Sequence, residues 1–337
     1  MTASIATTPR RYSRISGLGV FRPERVVTNA EICENIESSD EWIRERSGII
    51  ERRHADTDTT VIDMATTAAE RAIADAKLST SDIDAVILAT ISHPLQTPSA
   101  AVLVADRLGL VNPGAFDLSA ACSGFPYGVG LADSLVSTGQ ATNVLVIGVE
   151  KLSDWTDPHD RGTAFIFADG AGAIVVSPSD TPGIGPTVWG SNGAEAEAII
   201  CLPDWNQLRK QNAESGIDKW PVLHMQGQKV FRWAVSEMAP IARQALDVAG
   251  LRPEDIQLFV PHQANMRITD ALVRALAFPD TVAIARDIET AGNTSAASIP
   301  LALERMRQEG VAKSGDLALL IGFGAGLAYA AQVVRIP

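Results

Sequence analysis

The stretch Arg71–Ile87 (RAIADAKLSTSDIDAVI) reads as an amphipathic helix, a polar turn and a buried strand, and Arg243–Val260 (RQALDVAGLRPEDIQLFV) repeats that pattern. In both copies a leucine is followed four residues later by an aspartate, Leu78 to Asp82 and Leu251 to Asp255, with the two aspartates at an offset of 173. A second pair keeps the order: Cys122 stands 17 residues before Gly139, and Asn293 stands 17 before Gly310, at an offset of 171. Each of those intervals holds a helix, a turn and another buried strand. Chance likeness between two Ala-rich βα units accounts for one such pair, but two pairs at nearly one offset favour a duplication. The expected halves are residues 1–183 and 184–337, and on this alignment Asn293 occupies the position equivalent to Cys122.

Outward from the repeat, Asp84–Thr90, Val144–Val149 and Leu317–Ile321 are near-continuous apolar runs, which suit strands covered on both faces. Helical stretches such as Ser99–Leu108 and Ile299–Gln308 lie between them, so the pattern is α/β and layered. Leu317–Val334 carries no formal charge for 18 residues, the lower limit for a membrane span. Gly322, Gly324, Gly326 and Gln332 interrupt it, and a buried strand-turn-strand fits better. The stretch Cys201–Pro221, polar with scattered Trp, reads as an irregular excursion or lid.

Composition narrows the function. The 337 residues predict about two domains at ~150 residues each, and 46% hydrophobic with 20% charged residues is a globular balance. With 28 Lys and Arg against 40 Asp and Glu, the net charge of −12 argues against nucleic acid or an anionic membrane as partner. Aromatics at 5% weaken base stacking further. Cys33, Cys122 and Cys201 are odd in number and widely spaced, which offers neither a disulfide framework nor a CxxC metal site. Met1–Arg14 lacks the apolar block of a signal peptide. A reducing, cytoplasmic setting is expected.

Three positions carry chemistry. Cys122, in Phe116–Phe125 (FDLSAACSGF), follows an apolar strand and precedes a helix, whose positive end favours thiolate. Small neighbours leave room at its sulfur, although a buried inert cysteine accounts equally well for these residues. His262, in Pro261-His-Gln-Ala-Asn265, sits at the end of an apolar strand where α/β sheets expose catalytic groups. The competing reading is a packing histidine. Asn293, in GNTSA, is by itself an N-cap or turn residue. The duplication brings it towards Cys122, and Cys, His and Asn then supply a nucleophile and two neutral donors. Neither Gly322-Phe-Gly-Ala-Gly326 nor Asp169-Gly-Ala-Gly172 forms a dinucleotide fingerprint; the Ala325 amide is instead a candidate oxyanion donor.

LSAACSGF around Cys122, PHQAN with His262, GNTSAAS with Asn293 and the terminal GFGAG together resemble β-ketoacyl-acyl carrier protein synthase III, in its actinobacterial branch. The resemblance runs from about Arg14 to Pro337. It implies the thiolase fold, a duplicated α-β-α-β-α sandwich, and a homodimer with no cofactor and no metal. The implied reaction loads an acyl group from acyl-CoA onto Cys122, with the Cys122 and Ala325 amides holding the oxyanion. Malonyl-acyl carrier protein then loses CO2, and His262 and Asn293 hold the enolate that attacks the acyl-cysteine. One oxyanion donor is typically worth about 3–4 kcal/mol. Ser38–Ile49 (SSDEWIRERSGI) and Asp160-Arg-Gly-Thr163 match the coenzyme A site, so that Trp42 and Arg161 are implied to sandwich adenine, with Arg46 and Asn265 as further contacts. Read without the family, these are an exposed aromatic and solvated arginines.

Gln263, Ala264, Asn265, Met266 and Arg267, with Arg274, Lys229 and Arg232 nearby, are the expected docking surface for an acidic carrier protein. Thr97, in His93–Pro98 (HPLQTP), is the expected acyl-pocket residue. No Cys follows Cys201 and no His follows His262, which separates the chain from thiolases and from elongating synthases. Two alternatives stay open: a pathway-specific relative that primes polyketides, or one that transfers an acyl group without condensation. Primer length and branching are not legible.

Overall fold

The computed structural model describes residues 10–215 and 220–337. The first nine residues of the Met1–Arg14 segment, and 216–219 of the Cys201–Pro221 excursion, lie outside the described residues. In chain order the first sheet and its helices are β1 (Tyr12–Phe21), α1 (Val61–Asp75), β2 (Ala85–Ala89), α2 (Ala100–Arg107), β3 (Gly114–Leu118), α3 (Gly124–Ser137), β4 (Val144–Lys151) and β5 (Asp169–Ser179). The second set is β6 (Val188–Gly190), α4 (Gly227–Val248), β7 (Leu258–Pro261), α5 (Met266–Leu276), β8 (Ala283–Ile284), α6 (Ser298–Gln308), β9 (Leu317–Gly324) and β10 (Ala328–Arg335). The strand orders are β1-β5-β4-β2-β3 and β6-β10-β9-β7-β8, the same order written twice. In each sheet three strands are parallel at one side, β4-β2-β3 and β9-β7-β8, and the others join antiparallel.

The leucine-to-aspartate step of the repeat has one local cause in both copies. Lys77 and Gly250 take φ of +57° and +70° just past α1 and α4. The next amide returns to the last helical turn, Leu78 to Ile73 and Leu251 to Leu246, which closes each helix. Asp82 and Asp255 then accept the backbone N–H three residues earlier, from Ser79 and Arg252. The chain is thereby aimed into β2 and β7.

Both faces of each sheet are covered. On β2, Val86 and Leu88 pack with Met64, Ala68 and Ala72 of α1 and Val104 of α2. Ala85 and Ile87 face the other way, into one cluster with Phe125 and Val129 of α3, Ile299 and Leu303 of α6, and Leu258 and Val260 of β7. Phe259 turns outward onto Met238 of α4 and Leu272 of α5. The result is a five-layer α-β-α-β-α sandwich with α3 and α6 in the middle, the expected thiolase-like arrangement. Leu317–Val334 forms β9, a tight turn and β10, as its glycines suggest. No helix among the described residues is long and apolar enough to cross a membrane.

Two readings need correction. The 171-residue offset makes Asn293 the counterpart of Cys122, but α3 has 14 residues and α6 only 11, so counting back from Gly139 and Gly310 slips by three. The short turns that open the two helices begin at Ala121 and Ser295, with φ of +46° and +48°, which aligns Cys122 with Ala296. The contacts across the middle layer agree. A Cβ on Gly148 of β4 would meet the Ala296 carbonyl oxygen at 2.3 Å, and one on Gly322 of β9 would meet the Cys122 carbonyl oxygen at 2.9 Å. The excursion is also more regular than its composition suggests. Ile199–Leu202 pairs antiparallel with Val222–Met225, and the helix Trp205–Ser215 lies between them. Asp204 accepts from the amides of Asn206 and Gln207 while the Gln207 side chain accepts from the Asp204 amide, a capping box hidden among the polar residues.

Candidate active site

Cys122 sits in the turn Ala121–Ser123 between β3 and α3, where the duplicated fold brings the end of β9 against it. A side chain on Gly324 would lie 2.8 Å from Cys122 Cβ and 3.0 Å from Sγ, so that strand end braces the thiol at closest approach. A cleft of about 780 Å³ opens over the sulfur, and Cys122, His262, Asn293 and Ala325 all line it. The three candidate catalytic residues are thus brought together despite the slipped alignment. His262 is carried past the end of β7, its amide donating to the Ile321 carbonyl of β9 at 2.7 Å. Asn293 is pinned by its backbone to the Phe165–Ala168 segment: its amide donates to Ile166 O and its carbonyl accepts from Ala168 N. Its Oδ1 accepts the Ser295 amide at 2.9 Å, which leaves Nδ2 as the group available to the cleft.

Protonation states follow from burial. His262 is 2% exposed and its ring pKa is lowered to about 3, so it is a neutral donor at physiological pH. Burial pushes the Cys122 thiol up to about 12, against a hydrogen bond from Ser295 that favours the thiolate; nearby Glu150 raises it further. The expected thiolate bias from the start of α3 is therefore outweighed by desolvation in the resting protein. Glu150, at the inner end of β4, is fully buried and held near 7 by desolvation. It accepts from Ser92 Oγ at 2.6 Å, Thr90 Oγ1 at 3.2 Å and Ile91 N at 3.1 Å, and it shares the one proton of Ser295 Oγ, 3.2 Å away, with Cys122. Sequence reading passed over Glu150; its signal was a carboxylate closing the otherwise apolar run VLVIGVE.

At the cleft mouth, Trp42, Arg46, Arg161, Asn265 and Arg267 are lining residues. The Arg161 guanidinium lies 4.6 Å from the Trp42 ring centroid and that of Arg46 5.8 Å. Asn265 caps α5, accepting from the Arg267 amide, and its Nδ2 donates to Arg46 O at 2.9 Å. The run Gln263–Arg267 does not form one surface. Gln263 and Met266 are buried, because Gln263 Nε2 donates to Pro261 O and its Oε1 accepts Ile288 N, while Met266 packs into the cluster around Ile43. Both are therefore corrected from docking to structural positions, and Arg267, stacked 4.9 Å over Phe231, is the exposed member. Arg232 and Arg274 are exposed near it, whereas Lys229 pairs with Glu195. Thr97 is exposed and is not among the lining residues of this cleft or of the adjoining one, where His93, Pro94, Gln96 and Cys201 are.

Comparison with known proteins gives this geometry a family. Residues 116–193 match 3-oxoacyl-[acyl-carrier-protein] synthase III, and residues 246–336 match its C-terminal domain. The chain is 55% identical to β-ketoacyl-[acyl-carrier-protein] synthase III 1 of Streptomyces coelicolor, over 97% of each chain. Among solved structures it matches the priming β-ketosynthase of the R1128 polyketide biosynthetic pathway with a TM-score of 0.96 and 44% identity, over 99% of each chain. It also matches the synthase III of Aquifex aeolicus with a TM-score of 0.87 and 41% identity, over 96% of this chain and 99% of that one. Fold and relatives together define an acyl-transferring condensing enzyme of the thiolase fold. The chain belongs to the 3-oxoacyl-[acyl-carrier-protein] synthase III family.

Proposed function

We propose that the protein condenses an acyl-CoA primer with malonyl-acyl carrier protein, releasing CO2 and forming β-ketoacyl-acyl carrier protein. The observation that carries the reading is one cleft lined by a cysteine, a neutral histidine and an asparagine whose Nδ2 has no hydrogen-bond partner among the described residues. Cys122 gives up its proton as the acyl-CoA carbonyl is attacked, the Cys122 and Ala325 amides take the oxyanion, and coenzyme A leaves as the thiol. The malonyl thioester then loses CO2, and the electron pair is delocalised onto the thioester oxygen. His262 Nε2–H and Asn293 Nδ2–H hold that enolate. Its carbon attacks the acyl-cysteine, and collapse of the tetrahedral adduct returns Cys122 as the leaving thiolate. The stacked Trp42 and Arg161 support coenzyme A binding at the mouth, with adenine entering as the two part.

The carrier is acidic in this reading, so a chain of net charge −12 docks it through a confined basic surface, for which exposed Arg232, Arg267 and Arg274 are the candidates. Division of the chain at 183/184 and a cytoplasmic homodimer belong to the same proposal. The edge strand β3 supports the dimer, because Phe116 on it and Val102 on α2 are 41% and 44% exposed. The likeness to a priming β-ketosynthase favours polyketide priming as the second reading. The test is a panel of acyl-CoAs read by intact mass for acylation of Cys122, followed by malonyl-carrier protein and measurement of CO2. Acylation with malonyl-dependent CO2 release is expected. Acylation without it reduces the protein to simple acyl transfer, and no acylation with any primer removes both enzyme readings.

A further inference from the structure

His262 Nδ1 lies 2.7 Å from Ser298 Oγ, and both residues are buried. A hydroxyl carries one proton and two lone pairs. Ser298 Oγ already accepts the Gln263 amide at 3.3 Å, and among the described residues Nδ1 is the one acceptor within reach of its proton. A ring protonated at Nδ1 would strand that proton in a dry site, which native structures avoid. We propose that Ser298 is a positioning residue: its hydroxyl donates to His262 Nδ1 and so holds the neutral ring in the tautomer that presents Nε2–H to the cleft. The ring is fixed on its other side by Phe323, edge-to-face at 5.4 Å between centroids.

The duplication gives this contact an independent footing. His262 is 173 residues beyond Ala89 and Ser298 is 174 beyond Gly124, so the two pairs are counterparts. In the first half Ala89 and Gly124 are packed so closely that a Cβ on Gly124 would lie 2.8 Å from that of Ala89. One contact between a strand end and a helix start is thus filled by two small apolar residues in one half and by an imidazole–hydroxyl pair in the other. A donor tautomer matters because a neutral imidazole offers only one N–H, and a substrate anion needs it on the cleft side.

The inference rests on the proposed role of His262 as enolate donor, and its test separates the two. 15N-histidine labelling, with the His262 signals identified by their loss in His262→Ala, is expected to show Nε2 protonated and Nδ1 as a bare acceptor in the free protein near pH 7. Ser298→Ala is expected to weaken that signature, leave acylation of Cys122 by acyl-CoA within about threefold and lower malonyl-dependent CO2 release by about 10- to 100-fold. Ser298→Thr, which keeps the hydroxyl, is expected to recover most of the loss. An Nδ1-protonated ring in the parent protein overturns the tautomer assignment whatever the activity. Equal CO2 release by the parent and Ser298→Ala, or loss of both half-reactions together without recovery by Thr, also overturns it. An Nε2–H ring in a parent protein that acylates but releases no CO2 refutes the condensing reading and leaves the tautomer assignment standing.

Discussion

Replacing Glu150 with Gln should remove a loss of stability that builds up as pH rises from weakly acidic to neutral. Glu150 is buried beside Thr90, Ser92, Ile91 N and Ser295, none of them cationic. Desolvation raises its pKa from the ordinary 4.5 to about 7. Between those values the unfolded chain has released a proton that the folded chain still holds, so stability falls as pH rises, by about 1.4 kcal/mol per unit. The accumulated loss by pH 8 is about 3 kcal/mol. At pH 4 the carboxylic acid and the amide are both neutral and nearly isosteric, and the two proteins should be similar. His262 works in the opposite direction: its pKa is lowered, so its contribution is present above its ordinary 6.5 and is lost as pH falls towards 3. It is common to both proteins and cancels in their difference. Urea unfolding from pH 4 to pH 8, at one protein concentration, measures that difference. Glu150→Gln should gain about 3 kcal/mol relative to its parent across the range. A difference that stays constant within about 0.5 kcal/mol would mean that the folded carboxylate ionises at its ordinary pH, and the reasoning about its burial would fail.

Because the Cys122 thiol is pushed up to about 12, its alkylation by iodoacetamide should rise about tenfold per pH unit through pH 9 without levelling; a plateau near pH 7 would contradict the desolvated thiol. Gly324→Ala places a methyl 3.0 Å from Cys122 Sγ and 3.1 Å from its amide nitrogen. It should cut the extent of Cys122 acylation at least about tenfold by intact mass while costing about 1–3 kcal/mol of stability in denaturant, and unchanged acylation would place the substrate elsewhere. Arg267→Glu should weaken malonyl-carrier turnover more than acyl-CoA loading, measured as separate half-reactions; equal losses would remove Arg267 from the docking surface.

Legibility in the sequence tracked the range of the interaction. The leucine-to-aspartate step was readable because helix closure and the capping carboxylate act within five residues, at Leu78–Asp82 and again at Leu251–Asp255. Buried strands were readable from apolar runs, since both faces of β2 and β4 are covered. The register between the halves was not, because α6 is three residues shorter than α3 and the matching turns at Ala121 and Ser295 share conformation rather than residue type. His262 and Asn293 were found by motif, but Glu150, Ser295 and Ser298 act through contacts 36 to 145 residues away in the chain. Gln263 and Met266 were misassigned for a related reason: a motif gives their neighbours in sequence, while burial against Ile288 and Ile43 decides their role.

The central claim is that Cys122 carries the acyl group while His262 and Asn293 serve only the enolate. It is tested most directly by loading the parent protein, His262→Ala and Asn293→Ala with acyl-CoA, confirming acyl-Cys122 by intact mass, and then measuring CO2 released on adding malonyl-carrier protein. Acylation should survive in both variants, with CO2 release reduced by about 10²–10³ in each. Undiminished CO2 release from either acylated variant would contradict the claim.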